Sequence, residues 1–172
     1  TTLGSQADPA VTALADGGFV VAWVSGGQDG SSDGTYAQRY DLGGNQVGGE
    51  FQVNTTTYLS QYAPAIAALA DGGFVVSWNA NDGSSWGIYA QRYDVDGNAV
   101  GPEFRVNTYT TTSQEASSVA ALADGGFVVS WHSSGQDGSL EGVYAQRFDA
   151  TMGTEFLSRM AELASAALQR LR

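Results

Sequence analysis

The chain has 172 residues, 42% of them hydrophobic, with 23 Gly and 3 Pro. That is enough apolar material for a buried core and the wrong composition for a disordered chain. The formal net charge is −11 and every basic residue is Arg, a balance that repels nucleic acid and anionic membranes and excludes both as partners. With no Cys, disulfides, thiol catalysis and Cys-ligated zinc are excluded. No apolar run is long enough to cross a bilayer, so no membrane insertion is expected.

The first residues, TTLGSQADPA, lack the basic and apolar segments of a signal peptide. Because Thr1 stands where Met would, the sequence reads as a processed product or an excised piece. Strand a of a first unit is expected at PAVTAL (9–14), followed by ADGG as a two-residue hairpin turn in which Gly supplies positive φ. Strand b, GFVVAW (18–23), alternates Phe19, Val21 and Trp23 on one face with Val20 and Ala22 on the other. Both faces are apolar, so this sheet needs cover on both sides. A Gly-, Asp- and Ser-rich loop (25–34) leads to strand c, TYAQRYD (35–41). A hairpin through DLGGNQVG leads to strand d, EFQVN (50–54).

The pattern then repeats. DGGF begins at Asp16, Asp71 and Asp124, and YAQR begins at Tyr36, Tyr89 and Tyr144. The unit is about 54 residues and occurs three times. Four-stranded units with two greasy faces, set in series, predict an all-β fold of β-propeller blades. The blades run over about 8–54, 62–107 and 116–156, within a body of residues 1–155. The repeated nonapeptide is expected to be the inner packing strand. A run of small β-sandwiches or a β-solenoid are the competing architectures, but the unit is short for the first and long for the second. Three blades leave two open edges, which predicts a homodimer that closes a six-bladed ring. A fragment of a longer array is the alternative.

The third unit breaks off after GTEF. Residues 156–172 instead place Leu157, Met160, Leu163, Ala164, Ala167, Leu168 and Leu171 on one face of a predicted amphipathic helix. Its expected role is to cap an edge or drive self-association rather than to bind lipid. An engineered tail is the other reading.

The loops between strands b and c carry the candidate chemistry. Asp29, Asp33, Asp82, Asp137 and Glu141 offer oxygen ligands to Ca²⁺, the one cofactor the sequence suggests. Against that, Asp-Gly pairs also simply make turns, and the spacing matches no EF-hand or nonapeptide calcium repeat. Trp86, inside a loop, and Tyr58, Tyr62 and Tyr109, in the connections after strand d, offer faces for sugar rings, with Asp82 as a hydroxyl acceptor. Covering blade ends is the competing role. Trp23, Trp78 and Trp131 read as packing residues. Arg39, Arg92 and Arg147 recur in every unit, and each is expected to pair with a nearby carboxylate such as Glu50, Glu103 or Glu155. His132 is the sole His, and no nucleophile, zinc-protease or phosphate-loop motif is present, so no catalytic residue is assigned.

The blocks ADGGFVVAWVSGGQDG and GTYAQRYDLGGNQVGGEFQVNT, with their copies over 8–149, resemble repeats of large secreted bacterial proteins of the haemolysin-type calcium-binding (RTX-like) and adhesin class. The resemblance implies export to the extracellular space or cell surface and a calcium-rich setting. The function expected is a non-enzymatic binding or scaffold module facing a glycan or cell-surface ligand. A purely structural self-assembling segment and a glycosidase-like propeller are the alternatives.

Overall fold

The computed structural model describes residues 4–81, 83, 85–138 and 140–151. Its eleven strands are β1 (Gln6–Ala13), β2 (Phe19–Gly26), β3 (Asp33–Tyr40), β4 (Gln46–Gln52), β5 (Gln61–Ala68), β6 (Phe74–Asn81), β7 (Trp86–Tyr93), β8 (Ala99–Arg105), β9 (Gln114–Ala121), β10 (Phe127–Ser134) and β11 (Glu141–Phe148). They form three antiparallel meanders in the orders β1-β2-β3-β4, β5-β6-β7-β8 and β9-β10-β11. The expected all-β architecture of three repeated sheets is present. The fourth strand of the third unit and the helix expected over 156–172 lie outside the described residues.

The repeated DGG has two separate physical causes. The a–b link is a three-residue loop rather than the two-residue turn expected: Leu14 N–H donates to Gly18 O at 2.8 Å and Gly17 N–H to Leu14 O at 3.1 Å. Gly17, Gly72 and Gly125 sit at φ near +87°, +87° and +86°, the left-handed position such a loop requires. The second glycine is needed for space. A Cβ on Gly18, Gly73 or Gly126 would come within 2.3, 2.2 or 2.5 Å of the carbonyl of Tyr40, Tyr93 or Phe148. The Asp then locks the loop, Asp16 Oδ1 accepting the Gly18 N–H at 2.9 Å and Asp71 Oδ1 the Gly73 N–H at 3.0 Å.

YAQR is explained in the same way. The pairing of β3 with β4 slips between Ala37 and Arg39, and that of β7 with β8 between Ala90 and Arg92. Gln38 Nε2 plugs the first slip by donating to the carbonyls of Arg39, Val47 and Gly48 at 2.8, 3.3 and 3.4 Å. Gln91 repeats the plug on Arg92, Val100 and Gly101. Strand d starts earlier than expected, at Gln46 rather than Glu50, because the 41–45 turn is tight: Asp41 N–H donates to Asn45 O and Asp41 Oδ1 accepts Asn45 N–H.

The sheets stack. Leu14, Val20, Ala22 and Val53 of the first meet Phe74, Val76, Trp78 and Tyr93 of the second, all buried. Val75, Ile88, Ala90 and Val106, on the opposite face of the second, meet Phe127, Val129, Trp131 and Phe148 of the third. Consecutive sheets also touch through their first strands, β1 against β5 and β5 against β9. The strands shared between sheets are therefore these, and the nonapeptide strands β2, β6 and β10 sit second in each order. Each first strand carries a bulge, with Asp8, Ala63 and Ala116 at φ of 48°, 51° and 54°.

Candidate ligand pocket at the first seam

Where the connection from β4 to β5 crosses the second sheet, a cavity of about 250 Å³ opens, lined by Thr56, Tyr58, Gln61, Trp78, Ala80, Asn81, Tyr89 and Glu103. Buried amides hold that connection in place. Asn54 Oδ1 accepts the Thr35 N–H at 2.8 Å, and its Nδ2 donates to Thr56 O and to Gln61 Oε1, both at 2.9 Å. Gln61, fully buried, spends its own Nε2 on the carbonyls of Tyr58 and Leu59 at 3.1 and 3.0 Å. Leu59 is held at φ 62°, a conformation a branched side chain adopts only when its surroundings impose it. Tyr58 is thereby presented at the rim, 69% exposed. From the other sheet Glu103 closes the seam, its two oxygens accepting the Thr55 N–H at 2.6 Å and the Thr56 hydroxyl at 2.7 Å.

The floor is aromatic. Trp78 is buried, and the guanidinium of Arg105 lies 5.7 Å from the centre of the Tyr89 ring, a cation–π distance. Tyr93, behind the floor, bridges the seam from its hydroxyl to Val53 O at 3.4 Å, and burial first, then the Glu103 charge, push its phenol up. The set is an exposed aromatic ring beside amide, hydroxyl and carboxylate groups, with a dry indole beneath.

Of the aromatic residues singled out from sequence, Tyr58 lies in this pocket. Trp86 is not in a loop: it opens β7 and packs edge-on against Tyr62 with ring centres 4.7 Å apart. Tyr62 lies on β5 rather than in a connection. Tyr109 is in the equivalent connection at the second seam, where its carbonyl accepts from Asn107 Nδ2 at 2.7 Å. Asp82 lies outside the described residues.

The candidate calcium ligands are spread over two sheets. Asp29 Oδ1 accepts the Ser31 N–H at 2.9 Å, a turn bond. Asp33 opens β3 opposite Gly26. Asp137 and Glu141 belong to the third sheet's loop and the start of β11, both exposed. Among the described residues, no three of His, Asp and Glu gather closely enough to hold a metal ion.

Two of the three arginines pair with a carboxylate as expected, but with Asp rather than the Glu residues named, and Arg39 takes backbone carbonyls instead. Arg39 donates to the carbonyls of Asp96 and Val95, in the turn of the next sheet, at 2.6 and 2.7 Å. Arg92 pairs with Asp71 at 2.5 Å and donates to Ala150 O, again in the next sheet. Arg147 pairs with Asp124 and Asp149 of its own sheet. Arg39 and Arg92 latch sheet to sheet. The residues that shape the pocket and were missed from sequence are Asn54, Gln61, Thr56, Asn81 and Tyr89. One signal was available for the first two: Asn and Gln recur seven residues apart as Asn54 with Gln61 and Asn107 with Gln114.

No protein-family model matches the chain, and no curated protein matches it in sequence. Solved structures do match in shape. A protein of unknown function from Dyadobacter fermentans shares 12% identity at a TM-score of 0.60, over 84% of this chain and 51% of its own. An endo-arabinase from Bacteroides thetaiotaomicron shares 17% at 0.50, over 83% and 56%. An endo-1,4-beta-xylanase from the same organism shares 11% at 0.51, over 85% and 55%. This chain therefore spans about half the length of the structures it resembles, and the likeness is one of fold alone, an all-β array of antiparallel sheets.

Proposed function

We propose that the chain is a non-enzymatic binding module built from propeller blades, and that the pocket at its first seam takes a small neutral sugar unit of a glycan. The observation that carries this reading is the pocket itself, in which an exposed Tyr58 shares the lining with Trp78, Tyr89, Thr56, Asn81 and Glu103. An aromatic face supplies apolar contact to the C–H side of a sugar, and the amide and carboxylate accept or donate to its hydroxyls. The cavity is smaller than the roughly 300 Å³ at the low end of ligand clefts, which suits one ring rather than a chain of them.

The carboxylates among the described residues support a non-catalytic reading. Glycoside hydrolysis ordinarily needs two of them flanking the bond. The pocket has Glu103, and both its oxygens are engaged by the Thr55 N–H and the Thr56 hydroxyl. The shape likeness to an endo-arabinase and a xylanase is compatible with a glycan ligand but does not choose the sugar.

Calorimetric titration against neutral mono- and oligosaccharides, with and without Ca²⁺, tests the proposal. Binding that weakens at least tenfold in Tyr58→Ala is the expected result. Binding that Tyr58→Ala leaves intact, or no binding of any sugar at millimolar concentration, would remove it. Release of reducing sugar from arabinan or xylan would show that the chain is a catalyst instead.

A further inference from the structure

The two seams inside the chain use corresponding residues, and the same residues recur on the two outer faces, where no sheet among the described residues packs against them. In the second sheet Val75, Ile88 and Ala90 are fully buried against the third sheet. Their counterparts in the third sheet are Val128, half-buried, Ala145, exposed, and Val143, 84% exposed. On the other side, Phe74, Val76 and Trp78 of the second sheet are buried against the first. Their counterparts Phe19, Val21 and Trp23 are only half-buried, and Val11, opposite Val21 on the same face, is 66% exposed. One end of the molecule carries what the seam needs from its lower side, and the other end what it needs from its upper side.

The arginine latch points the same way. Arg39 reaches the 94–98 turn of the next sheet, and the terminal NH1 of Arg92 reaches the carbonyl of Ala150 in the turn after it, while NH2 holds Asp71. Arg147 keeps the matching bond from NH2 to Asp124, but its NH1 is turned back on Asp149 of its own sheet. Among the described residues no further sheet stands there to receive it. The turn that such a sheet would present exists at the other end of the molecule, over 41–45, with Leu42 81% exposed at the place of Val95.

We infer that the outer face of the third sheet docks on the outer face of the first sheet of a second copy, repeating the interior seam, with Arg147 NH1 transferred from Asp149 to the carbonyls of Leu42 and Gly43 of that copy. The occupant is a second copy because the proposed contact continues an interface the chain already forms twice. Made reciprocally between two copies, the contact occurs twice and leaves no outer face. This inference is independent of the sugar pocket, which lies at an interior seam.

Sedimentation equilibrium of the full chain tests it. The expected species is a dimer of twice the 17.9 kDa chain mass. Val143→Asp and Val11→Asp, each at an exposed position and so expected to keep the far-UV spectrum of the wild type, should each raise the dimer dissociation constant at least tenfold. A mixture of the two variants should recover a dimer, because each supplies the intact face the other lacks. Arg147→Ala should weaken the dimer severalfold. A monomeric wild type at high micromolar concentration, with residues 152–172 of the same copy or nothing on the face, would overturn the inference. So would a dimer that either Asp variant leaves unchanged, or a mixture that stays monomeric.

Discussion

Ile88 and Val143 occupy the same place in successive sheets, next to the same Tyr, in the same strand. One is fully buried and the other is 84% exposed. Nothing local distinguishes them. What differs is whether another sheet stands in front, and the same holds for Trp78 and Trp23 and for Arg92 and Arg147. Burial in a stacked-sheet molecule is a property of position in the series, so equal residues carry unequal energy.

The sharpest way to break this comparison is to truncate matched tryptophans. Trp78→Ala should cost about 3–5 kcal/mol, the range for emptying a fully buried large side chain. Trp23→Ala, made in the Val143→Asp background so that assembly does not contribute, should cost far less, on the order of 1 kcal/mol. Urea denaturation of both variants decides it: equal costs would mean that the outer face of the first sheet is as well packed as the seam. A milder version uses the aliphatic pair. Ile88→Ala should destabilise by about 2–5 kcal/mol, and Val143→Ala in the same background by no more than about 0.5 kcal/mol, as at other exposed positions.

The next test compares the amide networks with the apolar seam they border. Asn54→Ala leaves the buried N–H of Thr35 without its acceptor and releases the Thr56 carbonyl and Gln61. Orphaning a buried donor costs roughly 1–3 kcal/mol. Because the same amide positions Tyr58, the variant should also lose sugar affinity. Loss of stability with affinity retained would show that Tyr58 is placed by something else.

The repeat exposed much of this fold to sequence reasoning and hid the rest for identifiable reasons. Period-two alternation in GFVVAW was enough to place two apolar faces, and the structure fills both on the middle sheet with the residues expected. DGG was legible as a turn, but its second glycine was not: the need for it comes from the carbonyl of Tyr40, Tyr93 or Phe148 in the third strand, well beyond the reach of any local pattern. The Arg of YAQR was assigned to a carboxylate because charge suggests charge. Arg92 and Arg147 do find carboxylates, but the sheet-to-sheet partners of Arg39 and Arg92 are backbone carbonyls, which carry no sequence identity at all. The bulges at Asp8, Ala63 and Ala116 have the same character, since positive φ at a non-glycine residue is imposed by tertiary contacts. The pocket was half legible: Tyr58 stood out as an aromatic in a polar connection, whereas Tyr89 was read only as part of a strand.

The smallest effect concerns the exposed turns, where the two ends of the series again differ. Asp41 is held below the usual carboxylate range by the Asn45 side chain and then its backbone N–H. At Asp94 slight burial pushes upward, but the bonds from Asn98, Asp96 and Gly97 outweigh it and the net direction is down. Asp124 is lowered by the Gly126 N–H and then by Arg147. A carboxylate lowered by folding contributes stability that is complete above its unfolded value of about 3.9 and disappears as the pH falls through the lower folded value. The urea midpoint should therefore be flat above about pH 5 and decline below about pH 4. Asp41→Ala and Asp94→Ala should each make that decline shallower while lowering the neutral-pH midpoint only slightly, because these groups face water. Asp124→Ala should do the same and also release Arg147 NH2, leaving the guanidinium held by Asp149 alone. Of the three variants Asp94→Ala, at an interior seam, should leave self-association unchanged, whereas Asp41→Ala loosens the turn proposed to receive Arg147 and should alter it. An Asp41 or Asp124 variant with an unaltered acid limb would show that these turn bonds do not discriminate folded from unfolded chain.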